Sequence, residues 1–140
     1  MLSIFGVAST GVNFYRTSLD AIANNVANLN TVRPPNEVAV QRQVVVGSAN
    51  PSPAPAFVGT GGVVGAGVSF RVEYGSSPEG RLVFEPDHPL ADESGYVRYP
   101  GIDLSQEMTD MVIAQRGYQA NLAVVQRATE AYQAALQLGR

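Results

Sequence analysis

Apolar residues near the start of the chain recur at alternating intervals of three and four positions. They are Val12, Tyr15, Leu19, Ile22, Val26 and Leu29. This spacing predicts a helix with one apolar stripe of the coiled-coil type. Proline has no amide hydrogen and disfavours helical geometry in the residue before it. We therefore expect this helix to span about residues 9–30 and to end ahead of Pro34 and Pro35.

A longer stripe with the same alternation lies near the carboxyl end. It consists of Leu104, Met108, Met111, Gln115, Tyr118, Leu122, Val125, Thr129, Tyr132 and Leu136. Asp103 followed by Gln106 is typical of a capping box at a helix start, and Gly139 is placed to end the helix in a left-handed conformation. The pattern predicts a helix over residues 103–138.

A second apolar row lies beside the main stripe of this helix. Its members are Val124, Ala128, Ala131, Ala135 and Leu138. A helix that is apolar on more than one side needs more than one packing partner. The first helix can cover one side, and the rest of a 140-residue chain is too short to cover the other. We expect neighbouring subunits to do so.

The middle of the chain has strand patterns instead. Residues 40–46 and 68–74 are rich in β-branched side chains, and residues 81–85 and 96–99 form two shorter strand patterns. Glycine-containing turns precede the last two. Residues 47–67 are mostly Ala, Pro, Gly, Ser and Val, a composition that predicts a mobile loop.

These elements predict an α+β fold in three parts. Residues 1–32 and 102–140 supply two long helices that pair antiparallel in a coiled-coil-like manner. Residues 33–101 form a small β module that carries the flexible Gly/Pro/Ala-rich loop.

Composition excludes several classes of function. All nine basic residues are Arg, and they are scattered rather than clustered, so a nucleic-acid surface is not expected. The absence of cysteine excludes disulfides and thiolate chemistry. No basic residue precedes Arg16, and no apolar run reaches the length of a signal peptide or a membrane span. We expect a protein that does not span a membrane and that leaves the cytoplasm, if it does, without a cleaved signal.

One polar segment has the residue types of a reactive site. Glu85, Asp87, His88, Asp92 and Glu93 lie close together in sequence, and such side chains can bind a metal or transfer protons. The spacing matches no metal motif, and the chain has a single histidine. The simpler interpretation is a proline-bounded turn whose Asp and His side chains bond to local backbone. We expect no catalytic residue, no metal and no cofactor.

Four asparagines crowd the end of the first helix, although asparagine is a poor residue for a helix interior. One interpretation is a frayed terminus, and the other is that their amides bond to a packed neighbour and fix its register. Gly117 costs about 1 kcal/mol relative to alanine inside a helix. Close approach of another backbone would justify it, and a merely tolerated glycine is the alternative.

Several segments resemble one known family. Residues 19–31 (LDAIANNVANLNT) resemble the signature of flagellar rod, hook and hook-associated proteins. Residues 83–92 (VFEPDHPLAD) and 95–100 (GYVRYP) are similar to segments of FlgC-type proximal rod proteins. So are residues 107–111 (EMTDM) and 116–121 (RGYQAN) within the second helix. Residues 39–43 depart from the family pattern, and residues 47–67 have no counterpart in it.

The resemblance implies a structural subunit of the bacterial flagellar basal-body rod, a periplasmic shaft that transmits torque from motor to hook. It implies export through the flagellar type III apparatus without a cleaved signal. The implied partners are other rod proteins, the junction with the membrane ring, and the export apparatus. The resemblance brings no small-molecule substrate and no nucleic acid.

The two stripes and the asparagines supply the candidate assembly interface. Its residues are Val12, Tyr15, Leu19, Ile22, Asn24, Asn25, Val26, Asn28, Leu29, Met108, Met111, Tyr118, Asn121, Leu122, Val125, Tyr132 and Leu136. Three other hypotheses about the function remain open. One is another axial rod paralogue, the second is a helical adaptor that binds one partner helix, and the third is an enzyme centred on Asp87 and His88.

Overall fold

The computed structural model describes residues 2–50, 66–75 and 77–138, with side chains from residue 5 onward. Two helices enclose four strands in sequence. The elements are α1 (Leu2–Ala27), β1 (Gln43–Ala49), β2 (Val68–Tyr74), β3 (Arg81–Phe84), β4 (Tyr96–Tyr99) and α2 (Leu104–Leu138). The α+β class is therefore confirmed. Within the described residues no helix combines the length and apolarity that a bilayer crossing needs.

The first helix is longer at its amino end than its stripe indicated. It begins at Leu2 rather than near residue 9, because α2 lies alongside its first turns and Ala8 is buried there. Packing of this kind routinely overrides local propensity. The helix ends at Ala27, where the asparagines begin to bond locally. Asn28 donates its side-chain amide to the carbonyl of Asn24 at 2.9 Å and accepts from the Thr31 hydroxyl at 3.2 Å.

The strands form two separate antiparallel pairs. β1 pairs with β2 from Gln43 opposite Tyr74 to Ala49 opposite Val68, and β3 pairs with β4. Three of the four predicted strands lie where the sequence placed them, within one residue at their ends. The turns before β3 and β4 place Gly80 and Gly95 at φ of +57° and +79°, which only glycine adopts readily.

The first strand was predicted three residues too early, over residues 40–46. Its register with β2 continues through Gly47, Ser48 and Ala49, which the sequence assigned to the start of the loop. That assignment was wrong, because pairing with a distant strand decides a strand's extent more strongly than local composition does. The remainder of the predicted loop, residues 51–65, lies outside the described residues, so its mobility stays a prediction.

The second helix agrees with its prediction, starting one residue later, at Leu104. Asp103 caps it, because its Oδ1 accepts a hydrogen bond from the Ser105 N–H at 2.8 Å. The reciprocal half of the capping box is replaced by another bond, since the Gln106 amide donates to Asp110 Oδ1 at 2.9 Å. Gly139, the predicted end cap, lies outside the described residues.

The core is thin. The buried apolar residues are Ala8, Ala21, Ile22, Ala39, Val97, Ile102 and Ala114. Four of these seven are alanines, so the helices approach each other closely and bury little apolar area for each residue. On its other side α1 packs on the β1–β2 pair, where the Phe14 and Phe70 ring centroids lie 6.1 Å apart.

Candidate assembly surface

The two helices pair antiparallel in a definite register. Gly11 faces Asn121, Tyr15 faces Gly117, and Asn25 hydrogen-bonds Glu107. Residue numbers thus rise along α1 as they fall along α2, in equal steps. Extending this register places Leu2 opposite about residue 130, while α2 continues to Leu138. The last turns of α2 therefore extend past α1, by roughly 12 Å at 1.5 Å per residue.

Two glycines make this close pairing possible. A Cβ at Gly117 would overlap the ring of Tyr15, and a Cβ at Gly11 would lie 2.9 Å from the Cγ of Asn121. Within the described chain, a close approach therefore accounts for the glycine at position 117. The approach comes from a side chain of α1 rather than from another backbone.

A polar cluster lies at the other end of the helix pair. Glu107 is fully buried, and its two carboxylate oxygens accept from Arg42 Nε and, at 3.0 Å, from Asn25 Nδ2. Arg42 also donates from Nη2 to Asp110 Oδ2 at 2.6 Å. A buried charge is tolerated only when it is paired and hydrogen-bonded, and Glu107 meets both conditions.

Electrostatics favour the charged form of Arg42. Partial burial of its guanidinium lowers its pKa, but the hydrogen bond and charge of Glu107, together with the charge of Asp110, outweigh that effect and raise the pKa above its usual value. The arginine therefore already supplies the cation that two carboxylates require. Within residues 2–50, 66–75 and 77–138 no group of three or more His, Asp or Glu side chains is arranged to hold a metal ion.

Asn25 joins the cluster to the sheet. Besides its bond to Glu107, its amide donates to the Gln43 carbonyl and accepts from the Gln43 N–H, each at 2.8 Å. This pair of bonds imitates a strand pairing at the first residue of β1. Both amide hydrogens of Asn25 are used inside the chain, and 1% of the residue is exposed. Its expected role between subunits stays a prediction, and these bonds leave it no spare donor.

The main apolar stripe of α2 lies beside the face that α1 covers. The covered face contains Glu107, Ala114, Gly117 and Asn121, about a quarter-turn from the stripe at 100° per residue. Stripe residues next to α1 are half-buried, namely Met111, Tyr118 and Val125. The others are exposed, with fractions of 43% for Leu104, 59% for Met108, 39% for Leu122, 49% for Tyr132 and 56% for Leu136.

The candidate residues on α1 are more enclosed. Ile22 and Asn25 are buried, Asn24 is exposed, and Val12, Tyr15, Leu19 and Val26 are half-buried. Asn28 and Leu29, just after the end of the helix, are half-buried as well. An open groove of about 270 Å³ continues the apolar surface between α1, β1 and α2. Its lining includes Phe14, Ile22, Val44 and Ile113. The structure thus brings most of the candidates onto one helix pair. Of those on α2, four are exposed, three are half-buried beside α1, and Asn121 faces Gly11 inside the contact.

The segment with the residue types of a reactive site is a turn. His88 Nδ1 accepts from the Leu90 N–H at 3.1 Å. Asp92 Oδ1 accepts from the N–H groups of Ser94 and Tyr96 at 3.0 and 2.9 Å. Glu85 accepts from the Tyr99 hydroxyl at 3.1 Å. The predicted bond to local backbone is confirmed for His88. The acidic residue that makes such bonds is Asp92, beyond the two prolines, and not Asp87 between them.

Sequence reasoning missed the cluster around Glu107. Arg42 and Glu107 are 65 positions apart, and a glutamate on a helix usually faces solvent. One signal was present. Glu107, Ala114, Gly117 and Asn121 recur at helical spacing in a row of mostly small residues, which is typical of a helix face that another helix covers.

Comparison with known proteins places the two helices in one family. The model described as "Flagella basal body rod protein" matches residues 5–34, and "Flagellar basal body rod FlgEFG protein C-terminal" matches residues 93–138. Among curated relatives, the flagellar basal-body rod protein FlgC of Borreliella burgdorferi is 34% identical, and the match covers 97% of this chain and 95% of that protein. FlgC of Escherichia coli O6:H1 and of Salmonella typhimurium are each 37% identical, covering 89% of this chain and 87% of theirs.

The matched segments coincide with the main structural elements of the chain. They include both helices that carry the pairing and the exposed stripe, and they extend over nearly the whole length of the relatives. The chain therefore belongs to the FlgC family of flagellar basal-body rod proteins.

Proposed function

We propose that this chain is a structural subunit of the proximal part of the flagellar rod. It assembles with copies of itself and with other rod proteins into the hollow shaft that transmits torque from motor to hook. The observation that carries the proposal is the exposed apolar stripe of α2, which runs from Leu104 to Leu136 beside a face that α1 already covers. Exposed apolar surface of this extent favours a protein partner.

The geometry of the helix pair supports an open assembly. Residues 131–138 of α2 are exposed along their whole length and extend past α1. A surface at one end of a subunit that contacts a different surface of the next makes a heterologous interface. Such contacts generate rings or helical filaments rather than closed dimers. A tubular rod is the assembly that this arrangement favours.

The proposal includes the route and the location. The chain travels through the flagellar type III export apparatus without a cleaved signal and folds in the periplasm, where the rod stands. A thin core of mostly alanine suits a subunit that crosses a narrow channel unfolded. Its neighbours are other rod proteins and the junction with the membrane ring. The function is mechanical, and no side chain of the turn around His88 takes part in a reaction.

Deletion of the gene with complementation tests this function. Basal bodies of the deletion strain are imaged by electron cryotomography while swimming is scored. We expect loss of rod and hook with the membrane ring retained, and restoration by the wild-type gene. Intact flagella and normal swimming in the deletion strain would contradict the proposal. A stable one-to-one complex with a soluble partner, in place of incorporation into basal bodies, would favour the adaptor.

A further inference from the structure

Small residues lie at the contact between the two helices, among them Gly11, Ala114 and Gly117. They let the helix backbones approach. Apart from the Tyr15 ring at Gly117 and the Asn121 side chain at Gly11, they offer little shape that would resist sliding of one helix along the other. A displacement of α2 by two turns, or seven residues, would keep the same helix face against α1.

The polar cluster adds specific hydrogen bonds to this contact. Glu107 accepts from Arg42 and Asn25, Asn25 also bonds both backbone groups of Gln43, and Arg42 also bonds Asp110. In the described part of the chain no buried side-chain nitrogen or oxygen lacks a partner. The bonds from Asn25 and Arg42 to Glu107, and from Arg42 to Asp110, need α2 at one position along α1. None of them is required to bury apolar area.

We propose that the Arg42–Glu107–Asn25 cluster is a register lock, which fixes the longitudinal position of α2 against α1 and β1. Sliding by seven residues would bring Ala114 to the place of Glu107. The alanine methyl accepts no hydrogen bond, so one amide hydrogen of buried Asn25 and the guanidinium of Arg42 would lose the Glu107 carboxylate as their acceptor. A buried polar group without a partner disfavours that register by about tenfold or more. Buried polar residues fix helix register in coiled coils by the same means.

The register also affects assembly, and this part of the inference rests on the proposed function. The register sets how far α2 extends past α1, and residues 131–138 form that extension. A seven-residue change would move the exposed end by roughly 10 Å. Subunits with mixed registers would present ends at different heights and would not stack regularly. Arg42, Glu107 and Asn25 are thus positioning residues for contacts that they do not make themselves.

Engineered cysteine pairs test the register directly, because the chain has no native cysteine. Ser18 and Ala114 line the same groove, and the register places them opposite each other. Ser18→Cys with Ala114→Cys reports the native register. Ser18→Cys with Asn121→Cys reports the seven-residue slip. Each pair is oxidised in the purified full-length chain at low concentration, and the intramolecular disulfide is measured by mass spectrometry.

The informative variant replaces the ion pair by apolar residues, Arg42→Met with Glu107→Met. Replacing a buried ion pair in this way often leaves stability unchanged or increases it. We expect the native disulfide to exceed the slipped one by about tenfold or more in the parent chain. In the methionine variant we expect this ratio to fall about tenfold, toward the preference that the Tyr15 ring at Gly117 still provides, with no fall in the melting temperature. A merely stabilising role of the cluster would change the melting temperature and not the ratio.

The matched control removes an exposed Arg–Glu pair by Arg71→Met with Glu73→Met, whose side chains are 71% and 43% exposed. It should leave the disulfide ratio unchanged. A disulfide ratio in the Arg42/Glu107 variant equal to that of the parent chain would overturn the lock and assign the register to the contact of Tyr15 with Gly117. Equal amounts of both disulfides in the parent chain would overturn it as well. The measurement uses the purified chain, so failure of the lock and failure of the rod function are separate results.

Discussion

The ring of Tyr15 lies over Gly117, at the place that a Cβ on residue 117 would occupy. The glycine therefore offsets its helix-propensity penalty by admitting an aromatic ring against the backbone of α2. The same ring lies 5.0 Å from Phe14, which packs on Phe70 of the β1–β2 pair. This contact connects α2, α1 and the sheet through three aromatic side chains.

We predict that Gly117→Ala destabilises the chain by about 1 kcal/mol. Alanine gains about 1 kcal/mol of helix propensity, but displacement of the Tyr15 ring costs about 1–3 kcal/mol. Urea unfolding followed by circular dichroism measures the difference. Gly6→Ala is the matched control, because nothing lies within 4 Å of a Cβ at that helical glycine. The control should be stabilised. Equal stabilisation of both variants would contradict the proposed seat for Tyr15.

A second prediction concerns Asn25. In Asn25→Asp the side chain no longer donates, so it would face the Gln43 carbonyl and the Glu107 carboxylate as an acceptor. We expect a loss of about 3 kcal/mol, since buried acceptors are left unpaired and two like charges meet. Asn24→Asp, one position earlier and exposed, should change stability by no more than about 0.5 kcal/mol. Similar effects from the two substitutions would refute the role of Asn25 as an anchor of β1.

The third prediction concerns alkaline pH. Partial burial lowers the pKa of Arg42, but the hydrogen bonds and charges of Glu107 and Asp110 outweigh this effect and raise the pKa above its usual value in the folded chain. A cation whose folded pKa exceeds its unfolded value contributes fully below the unfolded value and loses its contribution as pH rises through the folded one. The melting-temperature difference between wild type and Arg42→Gln should therefore stay constant from about pH 7 to about pH 10. A difference that shrinks over this range would show that the pKa of Arg42 is lowered, rather than raised, in the folded chain.

His88 provides the fourth prediction. Its imidazole accepts one hydrogen bond from the Leu90 backbone in a half-buried turn. His88→Ala should cost about 1 kcal/mol of stability or less and should leave motility unchanged. The measurement is swimming speed after chromosomal replacement, with thermal unfolding of the purified chain. Loss of motility at unchanged stability would support the alternative hypothesis of an enzyme centred on Asp87 and His88.

Sequence periodicity predicted the bounds of elements that depend on local patterns. It failed for features that depend on contacts with residues distant in sequence. The stripe of α2 placed that helix within a residue of its start, and β2 and β4 have the predicted bounds. β1 lies three residues later than predicted, because its pairing with β2 sets its extent. The face of α2 that α1 covers differed from the main stripe, because Gly117 and Ala114 permit closer approach than Met108 and Leu122 do. Burial of Glu107 depends on Arg42 and Asn25, which local sequence does not bring to it.

The central claim is that the outward stripe of α2 joins subunits of the rod. Leu122→Asp with Val125→Asp places two charges on that stripe. Gln119→Asp with Gln126→Asp is the matched control, because it adds two charges at positions of α2 that are already polar and exposed. Both variants are expressed in the deletion strain, and circular dichroism of the purified chains verifies that their helix content equals that of wild type.

The decisive measurement is the amount of this chain in isolated basal bodies, with swimming scored in the same strains. We predict that the Leu122/Val125 variant is absent from basal bodies and that its strain does not swim, while the Gln119/Gln126 control matches wild type. Normal incorporation and motility of the Leu122/Val125 variant would contradict the assignment of the α2 stripe as the assembly surface.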